Sequence, residues 1–97
     1  MYNLNNALVL KNHNLICNVT GDNLVILSKD GRRVYSLNKT ARFIFENCEG
    51  KTIEEIANSL YEICNDKESI SLNLIINDCR NVISDFNKNG IVYIKER

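Results

Sequence analysis

The spacing of apolar residues changes once, at Asn38, and that change divides the chain into two kinds of structure. Before it the pattern alternates. Within residues 32–37, Arg33, Tyr35 and Leu37 share one face while Arg32, Val34 and Ser36 share the other, the two-residue period of a strand. After it apolar residues recur at intervals of three and four, the period of an amphipathic helix. The chain therefore sets a small sheet against a helical bundle.

Local signals place the elements. Residues 7–10 and 15–19 read as strand, a long irregular strand broken near Asn12–Asn14. Gly21–Asp22 offers a turn, and Leu24 to Leu27 reads as a second strand. Asp30–Gly31 predicts a tight hairpin, since both positions tolerate positive φ, leading into a third strand over residues 32–37. Asn38 caps a first helix with its side-chain oxygen; Ala41, Ile44, Phe45 and Cys48 form its stripe and Gly50 ends it. Thr52 and Glu55 make a capping box for a second helix that buries Ile53, Ile56, Ala57, Leu60, Ile63 and Cys64. Residues 65–71 are polar and read as a loop. A third helix runs from about Asn73 to Asn89, stopped by Gly90, and Ile91 to Ile94 form a last strand. The predicted fold class is α+β and winged helix-turn-helix-like. It comprises an N-terminal three-stranded antiparallel β-meander and a three-helix bundle, in the order β-β-β-α-α-α with a short C-terminal strand, as one domain over residues 1–97.

Composition excludes several classes. The 97 residues, 44% hydrophobic and 25% charged, match ordinary globular usage rather than disorder. Twelve basic residues balance twelve acidic ones, so the positive field on which DNA binding depends is missing and no nucleic-acid partner is expected. No apolar run approaches the roughly 20 residues that span a bilayer, so no membrane role is expected. Residues 1–10 lack the basic and apolar regions of a secretory signal, and a cytoplasmic location is expected. The cysteines, at 17, 48, 64 and 79, form no C-x-x-C pair, and the lone His13 is remote from three of them. A zinc site is not expected, nor any cofactor; most of the thiols read as small buried hydrophobes.

Three segments together resemble one family. V-Y-S-L-N-K-T-A-R-F-I-F, residues 34–45, is similar to the "LN-x-x-A" signature joining the last strand to the first helix in PqqD-like proteins. E-G-K-T-I-E-E-I-A-N-S-L, residues 49–60, resembles that family's glycine followed by a "T-x-x-E-I-A" helix. D-C-R-N-V-I-S-D-F-N-K-N-G-I-V, residues 78–92, resembles its final helix with a glycine and an apolar pair. The likeness spans about residues 24–94. It implies a recognition element for ribosomally synthesised, modified peptides, which grips the leader segment of a precursor and presents its core to a modifying enzyme. That enzyme would be a radical SAM protein, a cyclodehydratase, a lanthipeptide dehydratase or a leader peptidase. Some members of that family are fused to the enzyme and others are free-standing; at 97 residues with no second domain this one is expected to be free-standing, and non-catalytic.

The expected mechanism is β-augmentation. An unpaired strand edge is a row of donors and acceptors that accepts a foreign strand. The expected peptide-binding residues are Arg32, Arg33, Val34, Tyr35 and Ser36 on the third strand, with Ile76, Cys79, Arg80, Ile83 and Asn87 on the third helix as a second wall. Ile75, Cys79, Val82 and Phe86 are read as the core-facing row, and Ile76 and Ile83 as groove-lining. Arg32 and Arg33 equally suit a guard against edge-to-edge aggregation. Three other readings compete: a winged-helix DNA-binding regulator, a cysteine enzyme using His13 and Cys17, and a scaffold that docks an enzyme without a peptide. An open edge also suits a homodimer.

Overall fold

The structure, a computed structural model, describes residues 7–21, 23–28, 31–64 and 70–96. Its elements are β1 (Leu8–Lys11), β2 (Ile16–Thr20), β3 (Asn23–Leu27), β4 (Val34–Leu37), α1 (Lys39–Glu46), α2 (Ile53–Glu62), α3 (Leu72–Lys88) and β5 (Val92–Lys95). The antiparallel meander is β2-β3-β4, followed by three helices and a C-terminal strand. Asp22 and Asp30 of the two predicted turns, and residues 65–69 of the predicted loop, lie outside the described residues.

The N-terminal strand departs from expectation. The break at Asn12–Asn14 separates two strands that belong to different sheets. β1 pairs with β5, Val9 opposite Ile94, in a two-stranded ribbon, while β2 opens the meander. Asn12 makes the corner: its Oδ1 accepts from the Asn14 N–H and its Nδ2 donates to the Gly90 carbonyl. The short side chain thereby satisfies a turn that the strand ladder cannot. The far side of β1 is closed as well. The Val9 N–H donates to Lys51 O, Gly50 N–H donates to Val9 O, and the Lys11 N–H donates to a Glu49 carboxylate oxygen at 2.6 Å. That donated N–H, assisted by His13, holds the Glu49 carboxyl below its ordinary range.

The third strand is shorter than the alternation suggested. It begins at Val34, and Arg32 and Arg33 precede it. Among the described residues the last bonds between these strands run from Ser28 N–H to Arg33 O and from Arg33 N–H to the Ser28 hydroxyl.

The helix boundaries follow their caps. The Asn38 side chain accepts from Ala41 N–H, and Thr52 and Glu55 form the full capping box. The third helix starts a residue earlier than expected because Ser71, not a residue within it, caps Leu74 N–H. α1 ends at Glu46, and Gly50 serves the later turn onto β1 rather than the helix end. At the end of α3, Gly90 has φ +74 and Ile91 N–H donates to Phe86 O. This is the left-handed closure that glycine permits without strain.

One core joins the layers. Leu24 and Ile26 of β3 and Leu37 of β4 face the helices. They meet Ile44 and Phe45 of α1, Ile53, Ile56, Ala57 and Leu60 of α2, and Ile75, Cys79, Ile83 and Phe86 of α3. Phe45 and Phe86 pack edge to face with centroids 6.2 Å apart. Val9, Ile91 and Val92 complete the core from the ribbon. Cys48 and Cys79 are buried, as small hydrophobes would be, and burial pushes both thiols up to about 11. Cys17, by contrast, is exposed on β2.

Candidate functional site

β4 pairs only with β3, so its outer edge is open among the described residues. Its chemistry follows from the ladder. In an antiparallel pair, hydrogen-bonded and non-bonded residue pairs alternate. Ser28 and Arg33 are a bonded pair, so with the register Ile26↔Tyr35 and Leu24↔Leu37, Tyr35 and Leu37 aim their backbone groups at β3. Val34 and Ser36 aim theirs outward. The open edge thus offers two N–H donors and two carbonyl acceptors.

Side chains divide the same way. Val34 and Ser36 are exposed on the solvent face, Val34 at 61%. Tyr35 lies half-buried against the core, and its hydroxyl donates to the Asn89 carbonyl at 3.5 Å. That bond ties the C-terminal end of α3 to the strand edge. At the end of the meander, against the Asn12 corner and the C-terminus of α3, lies a hollow of about 470 Å³ lined by Asn12, Asn14, Leu15, Ser28, Arg33, Asn89 and Gly90, none of them within β4. Arg33 stands at this mouth, and Arg32 is exposed beside it. A second hollow, of about 320 Å³, lies between α1 and α2, with Lys39 and Arg42 beside Phe43, Leu60 and Ile63.

On α3 the structure corrects the division between core and groove. Ile83 and Cys79 have no exposed surface and belong to the core cluster, so neither side chain is available to a ligand. Val82, read from spacing as core, is half-buried instead. The reason is the phase of the helix. The buried row is Ile75, Cys79, Ile83 and Phe86. Helical spacing then puts Ile76, Arg80 and Asn87 on one flank of that row and Val82 and Asn89 on the other. Ile76 and Arg80 are half-buried and Asn87 is exposed; Arg80 donates to the Asn77 side chain. Tyr35 reaches the C-cap of this helix through the Asn89 main-chain carbonyl. Val82 and Ile83 are the positions whose burial sequence reasoning exchanged. Periodicity alone defines a stripe, and only a packed neighbour defines its centre.

Comparison with known proteins comes out as follows. The family model described as coenzyme PQQ synthesis protein D (PqqD) matches residues 23–92, that is, the meander from β3 onward, all three helices and the start of β5. No curated protein matches the chain. Among solved structures, TbiB1 in complex with the TbiA(beta) leader peptide aligns with a TM-score of 0.73 over 87% of this chain and 94% of that one. At 15% identity the likeness is one of fold. With a family model spanning well over half of its residues, the chain belongs to the PqqD family.

Proposed function

We propose that this protein is a non-catalytic binder of the leader segment of a ribosomally synthesised precursor peptide, and that it presents the peptide to a modifying enzyme. The observation that carries the reading is the open outer edge of β4, with its four outward main-chain groups beside the end of α3. Membership of the PqqD family supports it. So does the shared fold with TbiB1, a protein solved with a leader peptide.

The leader adds antiparallel to β4, bonding Val34 and Ser36. Tyr35 and Val82 form the apolar floor and flank, and Arg32 and Arg33 stand where the peptide leaves the strand. Ile76, Arg80 and Asn87 stand on the farther flank of α3, and Cys79 and Ile83 hold the helix in place from within. About four main-chain bonds at about 1 kcal/mol each, with two apolar anchors at about 1.5–3 kcal/mol each, are offset by ordering the peptide. The surplus corresponds to a Kd of about 0.1–10 μM, fitting a carrier that must hand its cargo on. No cofactor enters this reading, and the site of action is the cytoplasm, where precursor and enzyme meet. The partner enzyme is of the radical SAM or leader-peptidase kind. No helix is long and apolar enough to cross a membrane among the described residues.

The test is selection of a random peptide display library on the protein. Enriched peptides should share an alternating apolar pattern and lose binding to a Val82→Glu variant that keeps its fold. Ile83→Glu is unsuitable, because a buried charge would unfold the core. If no peptide enriches, while low-salt DNA retards the protein in a gel, the regulator reading takes over.

A further inference from the structure

Among the described residues the outer edge of β2 is also open, and its treatment differs from that of the β1, β4 and β5 edges. The outer groups of β1 are bonded by the 49–51 segment. The edge of β4 opens beside the exposed cations Arg32 and Arg33, and that of β5 ends in exposed Lys95 and Glu96. These are the usual defences against unwanted pairing. β2, Ile-Cys-Asn-Val-Thr, carries no charge and no proline, all five of its residues are exposed, and among the described residues it pairs only with β3. Ile16 and Val19 are 52% and 58% exposed.

We infer that β2 is a dimerisation edge, its occupant the β2 strand of a second copy of this chain. Three features select that occupant. The first is register. In the β2–β3 hairpin the pairs Thr20↔Asn23, Asn18↔Val25 and Ile16↔Leu27 spend their backbone groups on β3, because β3 turns those of Leu24 and Ile26 toward β4. Cys17 and Val19 therefore point outward, symmetrically about Asn18. A twofold axis through Asn18 sets Cys17 of each copy opposite Val19 of the other as hydrogen-bonded pairs, which closes four main-chain bonds within the strand.

The second feature is side-chain matching. In that register Cys17 and Val19 meet on the helix-facing side and Ile16 meets Thr20 on the other. Asn18 meets its own copy across the axis, where one amide both donates and accepts. No charge opposes a like charge. The third is the contrast with β4. Arg32 and Arg33 precede that strand and Lys39 follows it, so antiparallel twofold pairing there gathers cations of both copies at each end of the added ladder. The β4 edge is thus flanked by like charge, and the β2 edge carries none. The product is a six-stranded sheet with β2 strands at its centre and both β4 edges free at its ends, an isologous C2 assembly. The contact is small beside the 1,200 Å² or so of a standard interface, so the dimer is a weak, concentration-dependent one.

The experiment is sedimentation of the full chain across about 10 μM to 1 mM, a span chosen for a weak association. The expected mass rises from 11.1 kDa toward twice that value. Asn18→Lys, at an exposed position, should remain monomeric throughout with its thermal unfolding unchanged. In a Cys17→Ser background, Asn18→Cys should cross-link through the axis on mild oxidation, since a non-hydrogen-bonded antiparallel pair lies within disulfide range; Thr20→Cys should not. A dimer that survives Asn18→Lys would overturn the assignment. So would a chain that stays monomeric throughout, and that result would assign the edge to a peptide if Asn18→Lys also abolished peptide binding.

Discussion

Replacing Ser36 by proline separates the binding edge from the fold more cleanly than any side-chain truncation. The Ser36 N–H points away from β3, so the ladder does not use it, and an edge strand tolerates proline there. Tyr35, the preceding residue, is already in a strand, the conformation that a following proline enforces. The fold should keep its stability to within about 1 kcal/mol. An added peptide strand, however, loses one of its four main-chain bonds, and the pyrrolidine ring intrudes where its backbone would lie. One bond is worth about 1 kcal/mol, and the steric term raises the loss to about 1–3 kcal/mol. Affinity measured by fluorescence polarisation, with a peptide obtained by display, should therefore fall about 5- to 150-fold. Tyr35→Pro is the counter-control: it removes a ladder donor on the β3 side and should unfold the meander. If Ser36→Pro folds normally and binds peptide as tightly as the parent, the peptide does not lie on β4.

Other consequences concern the frame that holds this edge. Thr52→Ala removes the part-buried acceptor of the Glu55 N–H, at 3.2 Å, and leaves only the Thr52 N–H bond to the Glu55 carboxylate. It should cost about 1–2 kcal/mol, or about 4–16 °C in Tm for a domain of this size, and more than Ser71→Ala, whose cap is exposed. Glu49→Gln should weaken acid sensitivity. The folded carboxyl titrates below its unfolded value of 4.5, so it stabilises above that value and the contribution is lost as pH falls through the folded one. Urea midpoints at about pH 7 and about pH 3.5 should then differ less in the variant. Thiol titration at about pH 8 should show Cys17 reacting fast and Cys48 and Cys79 only through unfolding, because burial keeps both as neutral thiols up to about 11. A fast phase that persists when both Cys17 and the half-buried Cys64 are replaced by serine would contradict the burial of the other two.

What was legible in the sequence was everything governed by near neighbours. Asn38, Thr52 and Glu55 announce helix starts because a cap needs only a side-chain oxygen and an N–H three residues on. The stripe of α2 identifies its buried face at Ile53, Ile56, Ala57 and Leu60, but α2 ends at Glu62, so Ile63 and Cys64, also expected to be buried, are exposed and half-buried. The run of motifs in order marked the family because each joins one element to the next. Tertiary structure decided the remainder. Asn12–Asn14 breaks a strand in any fold, but only the return of β5 to Val9 sends the two halves to separate sheets. The apolar stripe of α3 is wider than one face, so spacing could not choose between Val82 and Ile83; the packing of α1, α2 and the ribbon put Ile83 inside. Strand edges follow the same logic. Whether a backbone N–H is paired depends on residues far away in the chain, and alternation along a strand carries no information about them.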